Sequence, residues 1–135
     1  MLAIEPVEGH ITSIHKAVVI VNEIHSPWLQ VYPDVANLVA MGFDPVSELA
    51  LGEGHMVGLH IRDAKLGTSY NIPWGSGTMD FIGVFSQLQR MNFNSPIVIE
   101  LWHEQDDDYL ESARASREYL LSKIQEANLK PSQET

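Results

Sequence analysis

The sequence of 135 residues contains no cysteine. Its absence excludes disulfide bridges, thiolate zinc sites and thiol nucleophiles, and it agrees with a reducing compartment. We therefore expect a cytoplasmic protein in which any bound metal ion is held by histidine, aspartate and glutamate side chains.

Basic residues are scarce, with 8 Lys and Arg against 18 Asp and Glu and a formal net charge of -10. Binding to nucleic acid or to anionic lipid depends on clusters of Lys and Arg that neutralise phosphates. The charge therefore argues against nucleic acid as a partner, and it favours a small molecule that is neutral or bridged by a metal.

Long apolar runs are also lacking. No stretch approaches the roughly 20 residues that span a bilayer. The N-terminal residues 1–5 lack the charged region and cleavage site of a signal peptide. We expect no membrane association and one domain with a single core, which the chain length favours.

Four short β-rich runs alternate with helical patterns along the chain. The runs cover residues 2–5, 28–32, 56–61 and 96–101. The second helical pattern breaks at Gly42 and resumes at Asp44, and the last pattern covers residues 107–127, followed by a polar tail over 128–135. This alternation predicts an α/β fold with a parallel sheet. The periodicity leaves two architectures open, a small doubly wound sheet and part of a (β/α)8 barrel.

An ionisable residue stands at the C-terminal end of every predicted strand: Glu5, Asp34, His60 and Glu100. Active sites of parallel α/β folds lie at this edge. Taken singly, each residue has a structural alternative as a helix cap or salt-bridge partner. Taken together, the oxygen-rich set with one imidazole suits one divalent metal ion, with Mn²⁺ or Zn²⁺ preferred and Mg²⁺ or Co²⁺ also compatible.

Five stretches carry a resemblance to a known family: residues 3–6 (AIEP), 26–38 (SPWLQVYPDVANL), 59–63 (LHIRD), 72–77 (IPWGSG) and 99–102 (IELW). They resemble the L-ribulose-5-phosphate 3-epimerase family of the xylose isomerase-like barrel superfamily, some of whose members were named hexulose-6-phosphate isomerases. The resemblance implies the C-terminal half of a TIM (β/α)8 barrel, with residues 1–127 as one half-barrel domain of four β-α units.

The resemblance also implies roles for the strand-end residues. In that family the last four barrel strands supply two glutamates, an aspartate and a histidine to one divalent metal. The matching positions are Glu5, Asp34, His60 and Glu100. Glu5 and Glu100 would be catalytic acid and base as well as metal ligands, and Asp34 and His60 would be ligands only. The implied reaction converts L-ribulose 5-phosphate to L-xylulose 5-phosphate.

Epimerisation of a 2-ketose at C3 sets clear chemical requirements. The C3 proton is acidified only by the neighbouring C2 carbonyl. A Lewis acid bound to O2 and O3 would therefore stabilise the enediolate that forms when this proton leaves. Inversion needs one carboxyl group on each face of C3, one as base and one as acid.

Three further residues are candidates for substrate binding: Asn37, Arg62 and Trp74. The last belongs to a long polar segment over residues 63–78, a length more typical of binding loops than of ordinary connections. Each residue has a structural alternative. Asn37 suits a turn or cap, Arg62 suits an ion pair with Asp63 or another carboxylate, and Trp74 suits packing beneath the loop.

Two departures from the family pattern concern the substrate. Family members usually carry a basic residue just before the loop proline and a glutamate between the loop glycines, whereas this chain has Ile72 and Ser76 there. The particular sugar, and its phosphate, therefore stay unassigned.

Half a barrel would expose two strand edges and one sheet face, which favours association. The predicted partner is a second copy that completes eight strands, or a separate N-terminal half. The alternative function is a catalytically silent half-barrel that self-associates. A metal-dependent endonuclease for abasic DNA is disfavoured, because that relative needs a histidine three residues after the aspartate, where this chain has Asn37.

Overall fold

The computed structural model describes residues 1–101 and 108–129. Within these ranges the chain alternates strands and helices as the sequence predicts. The elements are β1 (Leu2–Ile4), α1 (Ile14–Ile24), β2 (Leu29–Val31), α2 (Val35–Ala40), α3 (Pro45–Leu51), β3 (Leu59–Ile61), α4 (Phe81–Arg90), β4 (Ile97–Ile99) and α5 (Tyr109–Leu129).

The strands lie side by side in chain order and all run parallel. Leu2 pairs with Leu29 and Leu59 pairs with Ile97, while the isolated bridges Val31 to Met56 and Asp34 to His60 join β2 to β3. A doubly wound sheet changes direction at a switch point in its strand order, whereas a barrel adds each strand beside the preceding one. The register therefore selects the barrel architecture, seen here as four β-α units of a partial barrel.

The helices cover one face of this sheet. Leu59 and Ile61 on β3 are fully buried in the main core, whereas His60 between them is half-buried on the opposite face. On that opposite face Ala3 and Val98 are exposed. A strand points successive side chains to opposite faces, so the helix side forms the core and the other side carries the strand-end groups.

Local capping explains where the helices begin. The side chains of Ser13, Asp34, Asp44 and Asp80 accept hydrogen bonds from backbone N–H groups in the first turns of α1, α2, α3 and α4. Such caps satisfy N–H groups that the helix itself leaves unpaired. The predicted break at Gly42 is confirmed, since this glycine has a φ of 84° between α2 and α3.

Two bounds differ from the sequence prediction. The strands are only three residues long, because prolines at positions 6, 33 and 96 flank three of them and cannot donate to the ladder. The last helix continues to Leu129, two residues beyond the predicted end. Its predicted start at Asp107, Trp102 and the tail from residue 130 lie outside the described residues. None of the described helices is long and apolar enough to cross a membrane.

Gly58, just before β3, gives room to an aromatic ring that positions the strand-end histidine. A Cβ atom at this position would overlap the Tyr32 ring. That ring packs against the His60 ring with centroids 4.8 Å apart.

Gly58→Ala is therefore expected to displace Tyr32 and to lower the free energy of unfolding by about 1–3 kcal/mol, as overpacking does. Urea unfolding measures this cost. In a Tyr32→Ala background the same substitution should cost little. An equal cost in both backgrounds would show that the clash with Tyr32 is not the cause.

A candidate metal centre at the strand ends

Three strand-end side chains meet on the face opposite the helices. Glu5 follows β1, His60 lies in β3 and Glu100 follows β4. His60 Nδ1 lies 3.5 Å from Glu5 Oε1 and 3.5 Å from Glu100 Oε2. One ligand atom from each residue falls within 4.8 Å of the other two. We call Glu5, His60 and Glu100 the strand-end trio.

The trio fits a divalent metal ion by distance and by donor type. Bonds of about 2.0–2.2 Å from a tetrahedral metal to nitrogen or oxygen place neighbouring ligands about 3.4 Å apart. The two separations of 3.5 Å that involve His60 agree with this spacing. Two carboxylates and one imidazole suit Zn²⁺ or Mn²⁺. The side chains are 38%, 27% and 23% exposed, which leaves the site open to solvent.

Asp34 stands outside this group of mutually close ligand atoms. Its side chain is fully buried. Oδ1 accepts hydrogen bonds from the backbone N–H groups of Ala36 at 2.7 Å and Asn37 at 3.4 Å. Oδ2 accepts from Arg62 Nε at 2.9 Å and Nη2 at 2.7 Å. Asp34 thus caps α2 and neutralises a buried guanidinium.

Arg62 joins Asp34 to its surroundings. Its Nη1 donates to the carbonyl oxygen of Ser69 at 2.9 Å, and its Nη2 donates to Asn37 Oδ1 at 3.0 Å. Its Nε lies 3.8 Å from Glu100 Oε2, at the edge of the trio. The expected structural ion pair of Arg62 therefore exists, and its carboxylate is that of Asp34.

Asp63 instead shapes the long loop. Its Oδ2 accepts hydrogen bonds from the backbone N–H groups of Gly75 at 2.8 Å and Gly77 at 3.0 Å. A Cβ atom at Gly77 would overlap the Asp63 carboxylate, so the close approach requires glycine. This role of Asp63 was not predicted from the sequence, although the two loop glycines are a signal of close backbone contact.

Trp74 sits in the loop that Asp63 holds. Its ring packs against Phe81 at 5.5 Å and Tyr119 at 5.7 Å between centroids. The structural alternative predicted for Trp74, packing beneath the loop, is therefore present. Trp74 also lines a small cleft with Arg62 and Glu100.

Asn37 lies in the first turn of α2 rather than at its cap. Its Oδ1 accepts hydrogen bonds from Arg62 and from the Ser69 hydroxyl at 3.1 Å. Ser69 was not predicted as a site residue, because no motif around it in the sequence indicates a hydrogen bond with a side chain 32 positions away.

Comparison with known proteins shows the family of this chain. The family described as Xylose isomerase-like TIM barrel matches residues 1–122. The chain belongs to the xylose isomerase-like TIM barrel family. An L-ribulose-5-phosphate 3-epimerase, UlaE, from Escherichia coli is 34% identical over 117 residues, which are 87% of this chain and 41% of that relative. The K12 strain protein of the same name is 34% identical over 118 residues, 42% of its length. The chain thus spans about two fifths of these curated relatives, in their C-terminal part.

Two solved structures show the same fold. The structure of an L-ribulose 3-epimerase superimposes with a TM-score of 0.77 at 13% identity, over 100% of this chain and 52% of that one. The IolI protein, described with a bound zinc atom, superimposes with a TM-score of 0.77 at 20% identity, over 93% of this chain and 49% of that one. The four β-α units are therefore part of a family barrel.

Burial also changes the acidity of the enclosed aspartate. It raises the pKa of Asp34 from 3.8 to about 6, although the charge and hydrogen bonds of Arg62 act in the opposite direction. The nearby charge of Glu100 adds to the rise. The folded state therefore binds the Asp34 proton more tightly than the unfolded chain does, so protonation of Asp34 stabilises the fold. This contribution to the free energy of unfolding is complete below about pH 3.8 and is lost as the pH rises through about 6.

We expect the carboxyl carbon of Asp34 to titrate near pH 6 in a carbon-13 NMR experiment. Asp34→Asn identifies the resonance. A titration midpoint at or below pH 4 for Asp34 would show that the charge and hydrogen bonds of Arg62 outweigh the effect of burial on its pKa.

Proposed function

We propose that this chain carries the metal-binding and proton-transfer residues of a sugar-phosphate epimerase that acts at C3 of a ketopentose phosphate. The reaction would interconvert L-ribulose 5-phosphate and L-xylulose 5-phosphate. The observation that carries the proposal is the convergence of Glu5, His60 and Glu100 at one edge of the sheet. The 34% identity to an L-ribulose-5-phosphate 3-epimerase supports the substrate class.

Glu5, His60 and Glu100 would hold one divalent ion, Mn²⁺ or Zn²⁺, with Mg²⁺ or Co²⁺ also compatible with the donors. When bound, the ion supplies Lewis-acid stabilisation of the negative charge that develops on the ketose oxygens. The zinc atom described for IolI supports a divalent metal. Asp34, the fourth ligand that the resemblance implies, is bonded to Arg62 in this structure.

The two glutamates would move the proton. Glu5 follows β1 and Glu100 follows β4, the two outer strands of the four, and each carboxyl group lies 3.5 Å from His60 Nδ1. Their origin on different strands would let them reach different faces of a bound sugar. One carboxylate takes the C3 proton from one face of the sugar. The other, as a carboxylic acid, returns a proton to the opposite face, which inverts the centre. In the reverse direction the two glutamates exchange roles.

Arg62, Asn37 and Trp74 are proposed to contact the sugar. Arg62 and Trp74 line the cleft beside Glu100, and Asn37 bonds to Arg62. Arg62 and Asn37 already bond to each other and to Ser69, so their donors and acceptors are held in fixed positions. Preorganised polar groups of this kind orient a substrate without further ordering cost.

Exchange of solvent hydrogen tests the proposed activity directly. With Mn²⁺ present in D₂O, the protein should place deuterium at C3 of L-ribulose 5-phosphate, detected by proton NMR. Glu5→Gln and Glu100→Gln should each slow the exchange by about 10²–10⁴-fold, the usual contribution of a general acid or base. Glu53→Gln, at an exposed residue before β3, is the matched control. If the metal-loaded protein incorporates no deuterium at C3, the epimerase proposal is wrong.

The face that carries the trio supports a second proposal, about partners. Within the described residues β1 pairs only with β2, and β4 pairs only with β3. Ala3 and Val98 are exposed on the same face. We propose that a second copy covers this face and completes eight strands, with a separate N-terminal half as the other partner. The same exposed face favours the alternative function, a catalytically silent half-barrel that self-associates.

Light scattering should give a mass of about twice 15.1 kDa at micromolar concentration. Because each chain carries a net charge of -10, added salt should strengthen the dimer by screening repulsion. Val98→Asp on the exposed sheet face should yield monomers, whereas Val19→Asp on the exposed side of α1 should not. A monomer at every salt concentration would rule out the dimer.

A further inference from the structure

Every acceptor position of the Asp34 carboxylate is already used. A carboxylate offers about four lone-pair positions on its two oxygens. Two backbone N–H groups at the start of α2 bond to Oδ1, and two N–H groups of one guanidinium bond to Oδ2. A metal ion could bond to Asp34 only after one of these donors leaves.

The guanidinium cannot leave easily. The Arg62 side chain is 7% exposed and also donates to Ser69 and Asn37. The Tyr70 ring lies 5.2 Å from its central carbon. Arginine keeps its charge at any ordinary pH, so separating this pair would leave two unpaired charges in a buried place.

The same guanidinium lies beside the trio, with Nε 3.8 Å from Glu100 Oε2. Its positive charge opposes the approach of a cation to that side of the site. The trio, by contrast, points its ligand atoms at one another on the open face.

We propose that Arg62 withholds Asp34 from the metal, so that this chain binds a divalent ion through three protein ligands, Glu5, His60 and Glu100. Arg62 is thus a positioning residue, and the coordination positions that Asp34 does not fill stay available to oxygen atoms of the substrate. The inference rests on the proposed metal centre but does not depend on catalysis.

Isothermal titration of the metal-free protein with Zn²⁺ tests this arrangement. Arg62→Gln frees Asp34 and removes a positive charge, so Zn²⁺ should bind at least about tenfold more tightly. The double variant Arg62→Gln with Asp34→Asn replaces the ion pair by a neutral pair, so its affinity should stay within about threefold of the unmodified protein. Arg90→Gln, at an exposed arginine at the end of α4, should leave the affinity unchanged.

Two results would overturn the inference: an Arg62→Gln variant that binds Zn²⁺ no more tightly, or a double variant that loses about 10–100-fold in affinity, which would mark Asp34 as important for holding the metal. Failure of the unmodified protein to bind Zn²⁺ would instead refute the metal centre itself.

A measurement on the unmodified protein covers the case in which a variant does not fold. On addition of Zn²⁺ the carboxyl carbons of Glu5 and Glu100 should shift in the carbon-13 NMR spectrum, whereas that of Asp34 should stay in place. A shift of Asp34 as large as those of the two glutamates would overturn the inference.

Discussion

The buried ion pair between Asp34 and Arg62 is the interaction on which the arrangement of the strand ends depends. A buried charge is tolerated only when it is paired and hydrogen-bonded, and here one pair satisfies several elements at once. Asp34 caps α2, while Arg62 reaches from the end of β3 to Ser69 and Asn37. The pair therefore fixes the distance between the ends of β2 and β3.

Around this pair the strand-end edge divides into two environments. On the open side the three ligand atoms of the trio lie within 4.8 Å of one another, and the side chains that carry them are partly exposed. On the enclosed side Asp34 and Arg62 neutralise each other, and Asp63 holds the loop that carries Trp74. The enclosed side thus holds the framework, and the open side carries the groups that we propose to bind the metal and to transfer the proton.

Much of this architecture was predictable from the sequence. The alternating pattern predicted the parallel α/β fold, and Asp44 marked where α3 begins. The strand-end positions of Glu5, His60 and Glu100 placed them at one edge, because parallel strands bring their carboxyl ends together. The choice between a doubly wound sheet and a barrel needed the register, since periodicity does not encode which strands are neighbours.

The partner of Arg62 could not be predicted, for a related reason. Asp34 and Asp63 are both carboxylates within reach of a strand-end arginine, and the choice between them depends on side-chain rotamers and on which backbone N–H groups compete for each carboxylate. Asp63 is taken by the N–H groups of Gly75 and Gly77, which leaves Asp34 to Arg62. Which donor bonds to which carboxylate depends on three-dimensional contacts that the sequence pattern does not encode.

The central claim is that Glu5, His60 and Glu100 form one metal centre. Anomalous X-ray diffraction from crystals soaked in Zn²⁺ tests it most directly, because it locates the ion and its ligands in one experiment. The predicted result is a single strong anomalous peak bonded to one atom of each of these three residues, at the roughly 2.0–2.2 Å typical of zinc with nitrogen and oxygen ligands. A zinc-soaked crystal with no peak at the trio, or with its strongest peak on other side chains, would contradict the claim.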